Sequence, residues 1–279
     1  AGPMLRTRVL TAVVILPVVL GLLFAGSDLA WMLFALVLAL VAGWEWSRLC
    51  GFGPSAGLAY QAASLAAGLA LAALWQLDPA RFSPLAQAGY VVAAYFWIFA
   101  VPLWMRLALR PAPWVSGVAG WIVIWPMWAA LVELRTASPW LLLAIASLVW
   151  IADIAAYFAG RRFGRRRLAP GISPGKTWEG VIGALVAVLA YGIVLDVLAH
   201  ARTIVLTPFF DGPGGAIAIA AMLALAAISV VGDLFESWMK RGAGRKDSSG
   251  LLPGHGGVLD RIDALTATLP VAALLVSFA

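Results

Sequence analysis

The chain has 279 residues, 63% of them hydrophobic and only 11% charged, with a net charge of +6 and a mean hydropathy of +0.96. A soluble domain carries about 25% charge and about 45–50% apolar residues, so a water-soluble fold is excluded and the solvent must be lipid. The single cysteine, Cys50, excludes an intrachain disulfide and a cysteine-based metal cluster.

The first three residues, Ala1, Gly2 and Pro3 ahead of Met4, read as a protease-cleavage scar. The apolar run after Arg6 and Arg8 has no small-residue cleavage site before a soluble domain, and reads as a retained membrane anchor. A spanning helix takes roughly 20 predominantly apolar residues, and by that ruler there are about nine spans. They cover approximately 9–25, 29–48, 57–77, 87–109, 114–134, 139–160, 179–200, 215–238 and 262–279. Turn chemistry marks the breaks: Gly26 to Asp28, Gly51 to Pro54, Asp78-Pro79, Pro111 to Pro113, Ser138-Pro139 and Asp211 to Gly215. Many of the 14 tryptophans fall near span ends, as headgroup-level anchors do. The fold expected is all-α: one polytopic membrane unit, with residues 4–150 as scaffold, dimerisation or lipid-access helices and 151–279 as the catalytic region.

The loops set the orientation. One set of segments collects Arg6, Arg8, Arg48, Arg106, Arg110, the basic cluster from Arg161 to Lys176, that from Lys240 to Lys246, and Arg261. The other set keeps Arg81, Arg135 and Arg202. The positive-inside rule places the basic set and the N-terminus in the cytoplasm.

Two segments on that side hold more than topology requires. In residues 233–263, Asp233, Ser237 and Lys240 or Arg241 recur at helical spacing on one face, and Asp260 and Asp263 are three apart on the next helix. Ionisable residues at membrane depth are costly and point to function. Carboxylates from two helices suit a hard cation such as Mg²⁺, which completes its shell with substrate phosphate. Lys240, Arg241, Arg245 and Lys246 offer charge for polyphosphate oxygens. Between them lies Pro253-Gly254-His255-Gly256-Gly257, where glycines permit close backbone approach to an anion and His255 offers a donor. Upstream, Asp153 and Tyr157 lie one turn apart at the inner end of the sixth span. Ser173, Lys176 and Thr177 offer phosphate contacts; alternatively Thr177 caps the seventh helix, with Glu179 near its positive end. The Lys-Thr pair is not a P-loop, since the spaced glycines before it are missing.

The string from Ser237 to Asp263, with Lys240, Arg241, Lys246, Asp247, Ser249, Pro253, His255, Gly256, Gly257, Asp260 and Arg261 in their places, resembles the signature of the phosphatidate cytidylyltransferases. The strings at Asp153 to Tyr157, Gly160 to Gly164 and Ser173 to Gly180 are similar to the family's as well. The resemblance implies that CTP and phosphatidic acid give CDP-diacylglycerol and pyrophosphate. It implies a homodimeric enzyme of a bacterial inner membrane, dependent on Mg²⁺ with K⁺ as a second cation, and binding no nucleic acid. It implies that Asp233 and Asp260 are cation ligands, with Asp153, Asp247 and Asp263 as candidates to complete the shell. Lys240, Arg241 and Lys246 are then expected on the phosphates, His255 on the departing pyrophosphate, and Ser237 on metal-bound phosphate or water.

Three other readings share parts of this pattern. A CTP-using lipid kinase, or a cytidylyltransferase for another lipid phosphate, would carry a similar site. A CDP-alcohol phosphotransferase would carry an Asp-Gly-x2-Ala-Arg string, which is missing here. A transporter would place its polar residues near the bilayer midplane, whereas these charges gather at one face. Asp196 and His200, near the outer end of the seventh span, read as interfacial residues.

Overall fold

A computed structural model describes residues 3–200 and 215–278. In chain order these form α1 (Pro3–Ala25), α2 (Asp28–Leu49), α3 (Pro54–Leu77), α4 (Pro79–Tyr95), a π-helical turn (Phe96–Ala100), α5 (Val101–Arg106), α6 (Pro113–Ala137) and α7 (Pro139–Phe163). A hairpin of β1 (Arg167–Ala169) and β2 (Ser173–Thr177) precedes α8 (Trp178–His200), α9 (Gly215–Gly242) and α10 (Leu259–Val276). The rod from α4 through α5 is continuous, so each apolar run holds one helical rod, though this one begins at Pro79 rather than near residue 87. Ala1, Gly2, Arg202 and the turn at 211–214 lie outside the described residues.

Among the described residues, seven helices are long and apolar enough to cross a membrane: α2, α3, the α4–α5 rod, α6, α7, α8 and α9. Helix α1 has a shorter apolar stretch over Val13–Ala25. Helix α10 is 18 residues long and carries Asp260, Arg261 and Asp263 near its start. It nevertheless occupies the middle of the bundle, in contact with α2, α4, α6, α7 and α9. Protein on every side is why it tolerates Thr266 and Thr268, both buried, whose hydroxyls donate to the carbonyls of Asp263 and Ala264.

The helix starts follow from local chemistry. Proline opens α3, α4, α6 and α7, where its missing N–H costs nothing. Ser27, Asp78 and Ser138 accept from the amides of Ala30, Arg81 and Leu141 and cap α2, α4 and α7. Pro102 has no N–H and crowds the turn before it, and the π turn at Phe96–Ala100 absorbs the mismatch.

Several tryptophans do other work than interfacial anchoring. Trp46, Trp97 and Trp128 are wholly buried, and the Trp46 indole N–H donates to the Ser116 carbonyl at 2.8 Å, tying α2 to α6. Trp114 and Trp178 remain exposed, as interfacial side chains should. At the end of the bundle opposite the charged segments, Arg135 of α6 donates to Asp28 and to the carbonyls of Gly26 and Leu23, closing α1, α2 and α6 together. One element departs from the all-helical expectation. Strands β1 and β2 pair antiparallel, Arg167 with Thr177 and Ala169 with Ser173. Pro174 and the glycines around it mask the alternation that announces a strand.

Candidate active site

The charged segments converge at one end of the bundle, and Phe235 fixes the helix that organises them. Its ring lies 5.5–6.0 Å from those of Trp46, Phe96, Trp97 and Trp104, contributed by α2, the π turn and α5. Burying such a side chain is worth about 1.5–3 kcal/mol. Gly232 sets the spacing to α10: a Cβ there would sit 2.9 Å from the Asp263 carbonyl and from the Ala267 Cβ. The end of α9 is thereby held against the start of α10.

From that end, Asp233, Glu236, Ser237 and Lys240 project at helical spacing. The Ser237 hydroxyl donates to Asp233 Oδ1 at 3.4 Å, as the shared face predicts. Lys240 Nζ lies between two carboxylates, 2.5 Å from Glu236 Oε2 and 2.6 Å from Asp260 Oδ1. Glu236 is 2% exposed and is a site residue that sequence reasoning passed over. The signal was available, since an acid one turn before Lys240 on a spanning helix needs a partner.

The hairpin brings the upstream motif to the same helix. Lys176 on β2 reaches Asp233 Oδ2 at 2.6 Å. The Thr177 hydroxyl accepts from the Gly180 amide at 3.1 Å and so caps α8, while Glu179 accepts from the Arg166 amide at 3.2 Å. Around the Lys176–Asp233 pair lies a cavity of about 700 Å³ lined by Asp153, Tyr157, Arg161, Arg167, Ser173, Lys176, Thr177 and Asp233 among others. Pockets for small ligands run about 300–1,000 Å³. Asp153, Asp233, Ser173, Lys176 and Thr177, five of the residues singled out from sequence, share this cavity.

The remaining candidates gather in the loop from Ala243 to Val258. Asp260 ties it to α9: Oδ1 receives Lys240, and Oδ2 accepts from the Ser248 amide at 2.9 Å, the Ser248 hydroxyl at 3.0 Å and the Gly257 amide at 2.7 Å. The Gly257 amide, expected to face an anion, is therefore given to Asp260. Gly256 has φ +83°, and a Cβ on Gly257 would run into Ser248 Oγ and Glu45 Oε1, so the paired glycines serve close approach to carboxylates of the protein itself. His255 donates its amide to the Leu252 carbonyl at 2.8 Å, and its buried Nδ1 has no hydrogen-bond partner among the described residues. Arg241, Lys246 and Asp247 are exposed, with Arg241 donating to the Arg245 carbonyl at 3.3 Å.

The largest omission from the sequence reading is Glu45 at the end of α2. It is fully buried and accepts four hydrogen bonds from residues 248–259. A lone acid near the end of an apolar span was the available signal, hidden between Trp44 and Trp46 in a region assigned to scaffolding.

The donor set can be weighed for a divalent cation. No three His, Cys, Asp or Glu side chains gather around one point among the described residues, so there is no all-protein cage. Asp153 and Asp233 nonetheless border one cavity and Ser237 adds a hydroxyl oxygen, while Asp263 accepts from the Ala264 amide at 2.7 Å. One or two carboxylates beside room for water and phosphate is the pattern that suits Mg²⁺, and these residues fit it. Asp260, the other expected ligand, has both oxygens hydrogen-bonded within the protein.

Comparison with known proteins bears on the same residues. The model of the cytidylyltransferase family matches residues 6–279. A phosphatidate cytidylyltransferase of Pseudomonas aeruginosa is 38% identical over 278 residues, covering 98% of this chain and 97% of the relative. That of Haemophilus influenzae is 36% identical, covering 96% of each, and that of Thermotoga maritima is 40% identical over 134 residues, 47% of this chain and 46% of the relative. With the family match running through the membrane helices, the hairpin and the charged loop alike, the chain belongs to the cytidylyltransferase family.

Proposed function

We propose that this protein transfers CMP from CTP to phosphatidic acid, giving CDP-diacylglycerol and pyrophosphate, in the cytoplasmic membrane of a bacterium with its site facing the cytoplasm. The observation that carries the reading is the Lys176–Asp233 pair set in a cavity of about 700 Å³ at the charged end of an apolar bundle. Membership of the family and the names of its relatives support the substrates.

The chemistry asks for little acid–base work. A phosphate monoester has a second pKa of about 6, so the lipid phosphate is already anionic near neutral pH. One of its oxygens attacks the α-phosphorus of CTP. The new P–O bond forms as the bond to the oxygen bridging the α- and β-phosphorus breaks, and pyrophosphate departs with that electron pair. The obstacle is repulsion between polyanions, so catalysis rests on positioning and charge neutralisation.

Asp233 and Asp153, with Ser237 beside them, are the residues that would hold Mg²⁺, and the ion when bound supplies Lewis-acid neutralisation of phosphate charge. Lys176, Ser173 and Thr177 are assigned to phosphate oxygens within the cavity, with Arg161 and Arg167 at its wall. Lys246 and Arg241, exposed at the adjoining loop, meet the triphosphate from the aqueous side. His255 steadies the departing pyrophosphate. Lys240, held between Glu236 and Asp260, keeps the loop and α9 in register.

The test is direct. Purified protein in detergent receives phosphatidic acid, CTP labelled in the cytidine ring, and Mg²⁺. Label entering the lipid phase with equimolar pyrophosphate supports the reading. Pyrophosphate release without labelled phosphatidic acid, but with label on an isoprenoid phosphate, would move the reading to another acceptor. CTP consumption yielding CDP would make the protein a lipid kinase.

A further inference from the structure

The N-terminal helices do more than surround the site, and the contact that shows it is Glu45. This side chain is 0% exposed. Its Oε1 accepts from the Ser249 hydroxyl at 2.5 Å and the Val258 amide at 3.0 Å, and its Oε2 from the Ser248 hydroxyl at 3.0 Å and the Leu259 amide at 2.6 Å. A carboxylate offers about four acceptor sites, so these contacts fill it, and all four donors are neutral.

Two of the donors are amides at the start of α10, which has no side-chain cap of its own. Glu45 therefore caps α10 from another helix, with its charge at the positive end of the α10 dipole. The other two donors are side chains of the loop that carries Lys246, Asp247 and His255. Ser248 Oγ lies 3.0 Å from Glu45 Oε2 and also 3.0 Å from Asp260 Oδ2. One hydroxyl proton serves two carboxylates, and each keeps at least three other donors, so both remain satisfied whichever way the hydroxyl points. Since the other oxygen of Asp260 holds Lys240, a continuous chain runs from α2 through Ser248 and Asp260 to the end of α9.

We propose that Glu45 is a positioning residue for the nucleotide: from α2 it fixes the shape of the loop Ala243–Val258 and so the placement of the cations that receive the CTP triphosphate. The inference rests on the cytidylyltransferase reading above. It differs from a general stabilising role in where the effect falls. Loss of a global anchor reduces the folded fraction and so the apparent kcat, leaving both KM values unchanged, whereas loss of this one loosens a single loop and raises KM for CTP.

The experiment compares Glu45→Gln with the parent protein in detergent. The glutamine keeps the size but turns one acceptor into a donor facing another donor. Amide hydrogen exchange, read without substrate, should become about ten-fold faster or more over residues 248–259, the loss of a net hydrogen bond or two, with α7 and α8 unchanged. KM for CTP should rise about ten-fold while KM for phosphatidic acid stays within about two-fold. Glu45→Asp, which keeps the charge, should recover part of the CTP affinity. If Glu45→Gln does not fold, Ser249→Ala removes one donor alone, and is expected to show the same pattern at smaller amplitude. Parent-like exchange in the loop, a fall in kcat with both KM values unchanged, or an equal rise in both KM values overturns the proposal. If the parent protein makes no lipid-borne CMP, the cytidylyltransferase reading fails, while the exchange arm still reports whether Glu45 fixes the loop.

Discussion

Lys240 Nζ lies 2.6 Å from Asp260 Oδ1, and the pair joins the last turn of α9 to the first turn of α10. Both side chains are shielded, at 12% and 3% exposure. Breaking a buried pair by removing one partner costs about 3–5 kcal/mol when nothing replaces it. Here Lys240 retains Glu236 at 2.5 Å, so Asp260→Asn should cost less, about 2–3 kcal/mol. The thermal midpoint in detergent should fall with activity. Asp233→Asn, at the border of the cavity, should abolish turnover with little change in that midpoint. The opposite assignment of the two effects would put Asp260 on the reacting groups and Asp233 in the framework.

Gly257 admits no side chain. A methyl there would strike both Ser248 Oγ and Glu45 Oε1, and overpacking of a tight site costs about 1–3 kcal/mol. Gly257→Ala should lower the midpoint and speed proteolysis of the 243–258 loop. The same change at Gly250, where an added methyl meets no neighbour, should be silent by the same protease assay.

These contacts mark how far the residues alone carry the fold. Apolar run length locates the helical rods, and proline and capping residues locate their starts, because both signals are local in sequence. The faces shared by Asp233 and Ser237, and the capping role of Thr177, are legible for the same reason. What escapes is long-range. Glu45 meets residues more than 200 positions away, and nothing in its own neighbourhood names them. The Pro-Gly-His-Gly-Gly string reads as an anion cradle because glycine signals close approach without saying to what. In the structure the groups approached are Asp260 and Glu45. The hairpin at 167–177 escapes because its prolines and glycines suppress the strand pattern.

Phe235 is the packing centre beneath the site. Removing a fully buried Phe typically costs about 3–5 kcal/mol. Phe235→Ala should therefore destabilise the protein in detergent by that order, measured as loss of folded material on heating, whereas Phe278→Ala, at an exposed position, should be neutral.

Cys50 sits just past the end of α2, 8% exposed. Burial pushes its thiol up to about 12, with a hydrogen bond to Trp46 pulling the other way. Only the thiolate reacts readily, so Cys50 should resist maleimide between about pH 7 and 8.5 in the folded protein and label promptly in SDS. Rapid labelling without denaturant would show that this corner of the bundle is open.

The most direct measurement is CMP transfer from labelled CTP to phosphatidic acid by Lys176→Met and Asp233→Asn, each checked for a parent-like thermal midpoint. The pair lines the cavity on facing elements, β2 and α9. If the reaction takes place there, each substitution should lower turnover about 100-fold or more, the scale of losing charge stabilisation in a transition state. Turnover within about two-fold of the parent in both folded variants would contradict the placement of the reaction in this cavity.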